Sequence, residues 1–316
     1  MKNVLIIGAT GKLGNGVFTE LLKHSDRYNV GVLVRNPQQL FVRENLEIFE
    51  GDILTRSLER PIQWADIIIN CSGFVSYKRK DRRKLHIINV EGVRNLITYC
   101  QRSSKPLIHT SSAIAYGSSN NPFYFTESYR DESNYRGFYA ITKEMADNEV
   151  RDSGIPWIIL RPGTLMSTLK NLYGFYKKGF VAQLKGGASF SNLEDVCSAY
   201  IQSIDYLLSE KESQIFNLGG NNLEFEDVFE VFTNLDPQRT RLVPSNLMSS
   251  LSFVSDYILE PLFKKSILTR DNFKTGSRFT FLDSTKAIKH LQYSITPFDH
   301  SVKNLLFNDN YRSGNS

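Results

Sequence analysis

Residues 4–14, VLIIGATGKLG, combine a short apolar run with a glycine-rich turn. Four apolar residues that end in glycine are typical of a parallel strand buried on both faces. The glycines allow a tight turn, in which backbone N–H groups and the next helix N-terminus can approach a pyrophosphate. Because strand, turn and helix signals occur together, the stretch predicts a dinucleotide-binding unit. Its expected cofactor contacts are Gly8, Thr10, Gly11, Lys12, Leu13 and Gly14.

Further apolar runs of strand length recur along the first half of the chain, with helical patterns between them. They lie at residues 30–34, 46–49, 67–69, 107–108 and 157–160. This alternation implies right-handed crossovers and predicts an α/β Rossmann fold with a doubly wound parallel sheet. We expect residues 189–191 and 214–218, on either side of a helix over 194–208, to extend the same sheet.

The second half of the chain predicts a smaller lobe, because the strand–helix alternation fades after residue 220 and helical patterns dominate. The Rossmann domain would consist of residues 1–163 and 189–220. A mostly helical, substrate-binding C-terminal lobe would consist of residues 164–188 and 221–316.

The residue at the end of the second predicted strand indicates which cofactor binds. NAD-type sites place an acid about 20 residues after the glycines, where it holds the ribose hydroxyls. This chain has Arg35 there, in the sequence VRNP at residues 34–37. A guanidinium suits a 2′-phosphate and cannot accept hydrogen bonds from ribose hydroxyls. The sequence therefore favours NADP(H) over NAD(H).

Composition limits the partners. The formal net charge of the 316 residues is +5, and segment 78–84 (KRKDRRK), with six basic residues and one acid, accounts for this excess. The remainder is close to neutral, so we expect no nucleic-acid-binding surface. Three cysteines without ligand spacing to the histidines predict neither a disulfide scaffold nor a metal site. No apolar run approaches the roughly 18 residues of a membrane span. We expect a cytoplasmic protein. The composition does not decide between a monomer and a homodimer.

Two segments of the chain have alternative interpretations. The basic segment, residues 78–84, is either a solvated charged face or a rim at the substrate mouth that attracts a phosphate, a CoA group or an acidic lipid surface. In residues 247–263, apolar side chains at spacings of four, three and four predict a helix: Leu247, Leu251, Val254 and Ile258. Packing into the core of the second lobe is favoured there over a lid or a peripheral membrane contact.

Three further motifs accompany the glycine-rich turn: YAITK at residues 139–143, HTSSAIAYG at 109–117 and RPG at 161–163. Together they resemble the extended short-chain dehydrogenase/reductase family, over nearly the whole chain. The C-terminal lobe, with DSTKA at residues 283–287, looks most like the dihydroflavonol-reductase and 3β-hydroxysteroid-dehydrogenase branch. The resemblance implies further cofactor contacts by Asp52, Ile53, Cys71, Ser72, Gly73 and Pro162. For Asp52 a turn-forming role is the alternative.

Tyr139 and Lys143 are the candidate proton-transfer pair. Residues i and i+4 share a helix face, so we expect the Lys143 ammonium to lower the phenol pKa of Tyr139 from about 10. Tyr139 would exchange a proton with the substrate oxygen while hydride moves to or from the nicotinamide. The resemblance implies that Lys143 also holds the nicotinamide ribose. A second Y-x-x-x-K, beginning at Tyr173, follows the sixth strand and is interpreted as a chance match.

Other polar residues have rival interpretations. The resemblance favours Ser112 over Ser111 as the hydroxyl that hydrogen-bonds the substrate oxygen, because Ser112 stands four residues before Tyr116. Asn89 holds a water of a proton relay or is only a polar residue on a helix face. Phe74, just before the basic segment, would line an apolar wall of the substrate mouth.

Departures from the family's pattern narrow the expected activity. Ala113 and Ile114 stand where sugar-nucleotide dehydratases place acids, and GTLMS at residues 163–167 replaces the Tyr-Gly-Pro of sugar-nucleotide enzymes. The sequence therefore predicts an NADP(H)-dependent oxidoreductase acting on a carbonyl or secondary alcohol of a largely apolar small molecule. A sugar-nucleotide epimerase of the same fold and a non-catalytic NADP-sensing regulatory protein are the alternatives.

Overall fold

The structure is a computed structural model that describes residues 1–37, 46–210, 212–260 and 268–307. Its strands are β1 (Lys2–Ile7), β2 (Tyr28–Val34), β3 (Leu46–Glu50), β4 (Ile67–Asn70), β5 (Leu107–Thr110), β6 (Tyr124–Phe125), β7 (Trp157–Pro162), β8 (Thr164–Leu165), β9 (Phe180–Ala182), β10 (Gly187–Ser191), β11 (Gln214–Leu218), β12 (Asn221–Glu224), β13 (Arg241–Val243) and β14 (Phe279–Leu282).

The α-helices that the structure describes are numbered in chain order. They are α1 (Lys12–Leu22), α2 (Glu59–Trp64), α3 (Arg82–His86), α4 (Gly92–Arg102), α5 (Phe138–Arg151), α6 (Leu169–Lys177), α7 (Leu193–Ser209), α8 (Phe225–Leu235), α9 (Ser245–Val254), α10 (Arg270–Gly276), α11 (Thr285–Leu291) and α12 (Phe298–Phe307). The π turns are Ile87–Glu91, between α3 and α4, and Ser255–Leu259, after α9. None of the helices in the described ranges has the length and hydropathy of a membrane span.

The central sheet holds seven parallel strands in the order β11-β7-β5-β4-β1-β2-β3. The chain moves outward from β1 to β3 and then returns to β4 on the other side of β1. A crevice forms where the strand order reverses, at the carboxyl ends of β1 and β4, and ligands bind there in folds of this kind. Ile7 and Asn70 stand opposite each other at that point. The predicted doubly wound α/β fold is confirmed.

Both faces of the central sheet are covered by apolar side chains from helices. Val17 and Leu21 of α1 and Tyr200 of α7 pack on one face and are fully buried. Leu96 of α4 and Ala146 of α5 pack on the other face. A buried leucine contributes roughly 1.5–3 kcal/mol, so these two layers hold the carboxyl ends of the strands in fixed positions.

The structure contains a second, smaller sheet that the sequence did not predict. Its order is β12-β10-β14-β6, with β8 paired to β10. The expectation that residues 189–191 extend the central sheet is wrong, because β10 pairs only with strands of this second sheet among the described residues. Five buried residues identify β10 as a strand but do not say which sheet it joins. By contrast, β11 pairs with β7 and α7 precedes it, as predicted. The division into two units stays a prediction.

The helix predicted within residues 247–263 is present, but its packing differs from the expectation. The apolar side chains that define its periodicity are 37–50% exposed: Leu247, Leu251, Val254 and Ile258. The prediction that this stretch packs into the core is therefore wrong for these side chains. Residues 261–263 lie outside the described residues. Periodicity shows that a helix has an apolar face; it does not show that another element covers that face.

The glycine turn gives a test of the fold. In Gly14→Ala the added Cβ would lie 2.1 Å from the Gly8 carbonyl oxygen, so α1 must shift from β1. We expect a loss of about 1–3 kcal/mol in unfolding free energy, measured by urea denaturation. Gly174→Ala in α6 is the matched control, because no atom lies within 4 Å of its added Cβ. It should gain about 0.5–1 kcal/mol, and equal losses in both variants would contradict the close approach at Gly14.

Candidate active site

The turn between β1 and α1 requires glycine at its first position, Gly8. Gly8 has a φ of +88°, and a Cβ there would lie 2.6 Å from the Ser72 backbone nitrogen. Gly11 donates its N–H to the Gly8 carbonyl oxygen at 3.0 Å, which closes the turn. Helix α1 begins at the next residue, and the first N–H groups of a helix have no acceptor within it. The turn therefore fits the pyrophosphate of a dinucleotide.

A cleft of about 320 Å³ opens beside this turn, at the carboxyl ends of the strands. It brings together ten of the predicted contacts: Gly8, Thr10, Gly11, Arg35, Asp52, Ile53, Cys71, Ser72, Gly73 and Phe74. It is also lined by residues that sequence reasoning had not assigned: Ile7, Leu33, Val34, Gly51, Leu54, Lys84 and Ile88. Outside this lining lie Lys12, Leu13, Gly14 and Pro162, together with the candidate catalytic residues. These residues include the last residues of β1 and β2 and the residue after β3. Their positions at strand ends could have been recognised from the sequence.

At one end of the cleft, Arg35 is exposed and follows the last residue of β2. Asp52 lines the same cleft, and its Oδ1 accepts a hydrogen bond from the Leu54 N–H at 2.9 Å. This bond supports the turn-forming role of Asp52, and a contact with adenine stays a prediction. Lys84 adds a second cation to the lining, with its Nζ 4.3 Å from the centre of the Phe74 ring.

Tyr139 lies at the start of α5, in the second residue of the helix. Its buried ring belongs to an apolar cluster with Leu85, Ile114 and Ala140, against which the rings of Phe74, Tyr77 and Phe138 pack. The Tyr77 and Tyr139 ring centres are 6.1 Å apart. This cluster forms an apolar wall around the phenol of Tyr139.

Ser112 and Ser111 occupy different environments, although they are neighbours in sequence. Ser112 is partly exposed, and its hydroxyl opposes the rise in the Tyr139 pKa that burial causes, which indicates that it lies near the phenol. Ser111 is buried, and its Oγ donates to Asp147 Oδ2 at 2.9 Å. This arrangement favours Ser112 as the hydroxyl beside the phenol.

Lys143 is buried one helical turn after Tyr139, and its Nζ donates to the Thr110 carbonyl oxygen at 2.7 Å. Burial lowers the pKa of Lys143 to about 8, against the opposing charges of Asp147 and Cys71. Burial raises the pKa of Tyr139, and Tyr77 and Asp147 raise it further. The direction is opposite to the sequence expectation, because removing the phenolate from water outweighs the other effects.

A buried ion pair that the sequence reasoning missed lies one turn further along α5. Asp147 is fully buried, and its Oδ2 accepts from Arg161 Nε at 3.0 Å and Nη2 at 2.7 Å. Residues 139, 143 and 147 share one face of α5 because each is four residues from the next. That spacing was visible in the sequence. Arg161 was named above only as part of the RPG motif. It binds α5 to β7.

Asn89 and Tyr173 have structural partners. The Asn89 amide oxygen accepts from the Phe74 N–H, and its nitrogen donates to the Phe74 carbonyl oxygen and to Thr142. These bonds position the loop that carries Phe74. Tyr173 hydrogen-bonds Asp236 in the second lobe, and Lys177 binds the same carboxylate at 2.9 Å. The second Y-x-x-x-K therefore lies in a surface network away from the cleft.

The chain is similar to known proteins over most of its length. A family model described as NAD(P)H-binding matches residues 8–203. A putative dihydroflavonol 4-reductase of Synechocystis sp. is 24% identical over 306 residues, with 90% of this chain and 88% of the relative covered. A (4-alkanoyl-5-oxo-2,5-dihydrofuran-3-yl)methyl phosphate reductase of Streptomyces griseus is 27% identical over 263 residues, with 76% and 80% covered.

Two solved structures have the same fold over almost their whole length. The protein gox2253 has a TM-score of 0.76 at 21% identity, with 96% of both chains covered. UDP-glucuronic acid 4-epimerase from Bacillus cereus, in complex with NAD, has a TM-score of 0.72 at 16% identity, with 95% of both covered. This chain belongs to the NAD(P)H-binding family, and its fold is that of these two solved structures.

The two serines allow a paired test of the site. Ser112→Ala should lower kcat by at least about tenfold, because it removes the hydroxyl that we expect to orient the substrate oxygen. Its cost in unfolding free energy should be about 1 kcal/mol or less, since the hydrogen bond that Ser112 Oγ accepts from the Ile114 N–H is long, at 3.4 Å. Ser111→Ala should cost about 1–3 kcal/mol of stability, because a buried carboxylate loses a donor, and should retain most of kcat. Urea denaturation and initial rates measure the two effects. Reversal of this pattern would assign the substrate contact to Ser111.

Proposed function

We propose that this protein is an NADP(H)-dependent oxidoreductase that transfers hydride between the nicotinamide and a carbonyl or secondary alcohol of a largely apolar small molecule. The observation that supports the proposal concerns the end of β5: Lys143 binds Thr110 there, and Ser112 follows two residues later. Tyr139, one helical turn before Lys143, lies in an apolar cluster with Ile114. A regulatory protein that only senses the cofactor has no need of a phenol and a hydroxyl arranged in this way.

When bound, the cofactor supplies or accepts the hydride. Tyr139 donates a proton to the substrate oxygen during carbonyl reduction and takes it back during alcohol oxidation. Its raised pKa keeps the phenol protonated at neutral pH, which suits the proton-donating direction. Ser112 hydrogen-bonds the same oxygen and orients it. Lys143, one helical turn after Tyr139, is anchored to the Thr110 carbonyl oxygen, and its ammonium would hold the nicotinamide ribose.

The substrate class follows from the side chains around the phenol. Phe74, Tyr77 and Phe138 present aromatic rings next to Tyr139, and such walls bind apolar groups through the area they remove from water. We therefore assign substrate contacts to Phe74, Ser112 and Tyr139.

The preference for NADP(H) is supported by Arg35 at the rim of the cleft. Lys84 adds positive charge to the same lining. We assign cofactor contacts to nine of the ten predicted lining residues, Phe74 being assigned to the substrate, and to Lys12, Leu13, Gly14, Tyr139, Lys143 and Pro162. We also propose a cytoplasmic location, which is supported by three unpaired cysteines.

The direct test is to incubate the protein with NADPH and a panel of apolar ketones and aldehydes. We expect net loss of reduced nicotinamide together with formation of the alcohol. A sugar-nucleotide epimerase closes its redox cycle and would convert a UDP-sugar without net loss. Binding of NADPH without turnover of any panel member would favour the regulatory alternative.

Tyr139→Phe tests the proton donor. The variant keeps the apolar ring and loses the hydroxyl, so kcat should fall by about 10²- to 10⁴-fold while the Kd for NADPH stays nearly unchanged. Tyr173→Phe is the matched control, since it makes the same change in the second Y-x-x-x-K, and it should retain full activity. Similar losses in both variants would contradict the choice of Tyr139.

Arg35→Asp tests cofactor preference. A charge-assisted hydrogen bond contributes roughly 1.5–3 kcal/mol, so wild-type protein should bind NADPH about 10- to 100-fold more tightly than NADH. The preference should shrink as salt screens the contact, and Arg35→Asp should abolish or invert it. Arg239→Asp, the same charge change at an exposed site in the second lobe, should leave it intact. Equal wild-type affinities, measured by calorimetric titration, would show that Arg35 does not contact the 2′-phosphate.

A further inference from the structure

An ordinary surface helix buries its apolar side chains and exposes its polar ones, whereas helix α9 and the π turn after it do the opposite. The buried side carries Ser252, Ser255, Asp256 and Glu260, each at most 7% exposed. The exposed side, here called the outer face, consists of Leu247, Leu251, Phe253, Val254, Tyr257 and Ile258. A helix that faces water normally buries its apolar stripe and exposes the polar one. A contiguous exposed apolar patch on a folded protein marks an interaction surface.

The polar side fixes this orientation. Asp256 Oδ2 accepts a hydrogen bond from the Arg270 N–H, at the start of α10, at 2.8 Å. Lys80 Nζ lies 3.9 Å from Glu260 Oε1. Rolling the helix to bury its leucines would break both contacts and expose the serines on the same side. The outer face is therefore held toward the surroundings of the protein.

The basic segment (residues 78–84) lies directly beside the outer face. The Arg79 guanidinium lies 4.7 Å from the centre of the Tyr257 ring, and Lys80 reaches Glu260 at the end of the same helical stretch. Arg270 adds a cation 5.9 Å from the Phe253 ring. Most side chains of the basic segment are exposed. Apolar and cationic groups thus form one continuous surface.

We propose that the outer face and the basic segment together dock on an anionic lipid bilayer. Leu, Val, Ile and aromatic side chains of an interfacial helix enter the boundary between head groups and acyl chains. Lys and Arg beside them are attracted by anionic head groups, and the attraction falls within a Debye length of the surface. This docking does not depend on the proposed activity.

Charge favours a bilayer over a second copy of the chain. A two-fold dimer uses the same patch on both partners, so a dimer through the outer face would bring two basic segments together. Each segment carries six basic residues and one acid, and their repulsion opposes such an interface. An anionic membrane can accept the apolar outer face in its interfacial region and attract the basic segment with its head groups.

The test is sedimentation of the full chain with vesicles of phosphatidylcholine alone or mixed with phosphatidylserine. We expect at least about tenfold stronger partitioning onto the anionic vesicles, weakened by high salt. Leu247→Gln with Leu251→Gln should lower partitioning by about tenfold, since glutamine keeps the helix and removes apolar contact. Lys78→Gln with Arg83→Gln should also lower it about tenfold or more.

Matched controls make the same chemical changes at exposed sites elsewhere. Leu242→Gln with Ile288→Gln, and Lys289→Gln with Lys303→Gln, should leave partitioning unchanged. Equal binding to both vesicle types, or full binding by the Leu247/Leu251 variant, would overturn the proposal. A dimer in analytical ultracentrifugation that this variant dissociates would assign the outer face to a second copy instead.

Discussion

The buried ion pair between Asp147 and Arg161 is the interaction on which the candidate site depends. Both Arg161 contacts reach the same carboxylate oxygen, and Ser111 donates to that oxygen as well. Breaking a buried pair by removing one partner typically costs about 3–5 kcal/mol, because a charge is left without compensation in the interior. The pair therefore fixes α5 against the ends of β5 and β7.

Fixing Asp147 also fixes the two residues that precede it on the same helical face. Lys143 reaches the end of β5, where it binds the Thr110 carbonyl oxygen, and Tyr139 reaches the apolar wall near the cleft. The cost of burying these groups appears in their pKa values, which shift toward the neutral forms. A neutral phenol in an apolar wall is prepared to donate a proton, and the surrounding rings keep water away from it.

The sequence predicted those parts of the structure that local patterns encode. The glycine turn works because a Cβ at Gly8 or Gly14 would meet backbone atoms, and that requirement leaves its mark as spaced glycines. The doubly wound parallel sheet followed from the alternation of strands and helices, and the position of Tyr139 between two strands separated it from Tyr173. These inferences need only neighbours in the chain or the rules of parallel-sheet topology.

What the sequence did not predict depends on contacts between distant segments. Five buried residues made β10 a strand, but its sheet depends on pairing with β12 and β14. The partners of Lys143 and Asp147 come from β5 and β7. The fall in the Tyr139 pKa that was expected from the neighbouring Lys143 ammonium was outweighed by the effect of burial. The outer face had the periodicity of a core helix, and only the fold shows that its apolar side is exposed.

Net hydride transfer to a substrate carbon is measured most directly with NADPH that carries deuterium at the transferring position. An apolar ketone from the panel is incubated with the protein and the labelled cofactor, and the product is analysed by mass spectrometry. An oxidoreductase with the proposed site should yield an alcohol with one deuterium on the former carbonyl carbon and an equal amount of NADP⁺. Product without deuterium, or no product while the protein binds NADPH, would contradict hydride transfer at this site.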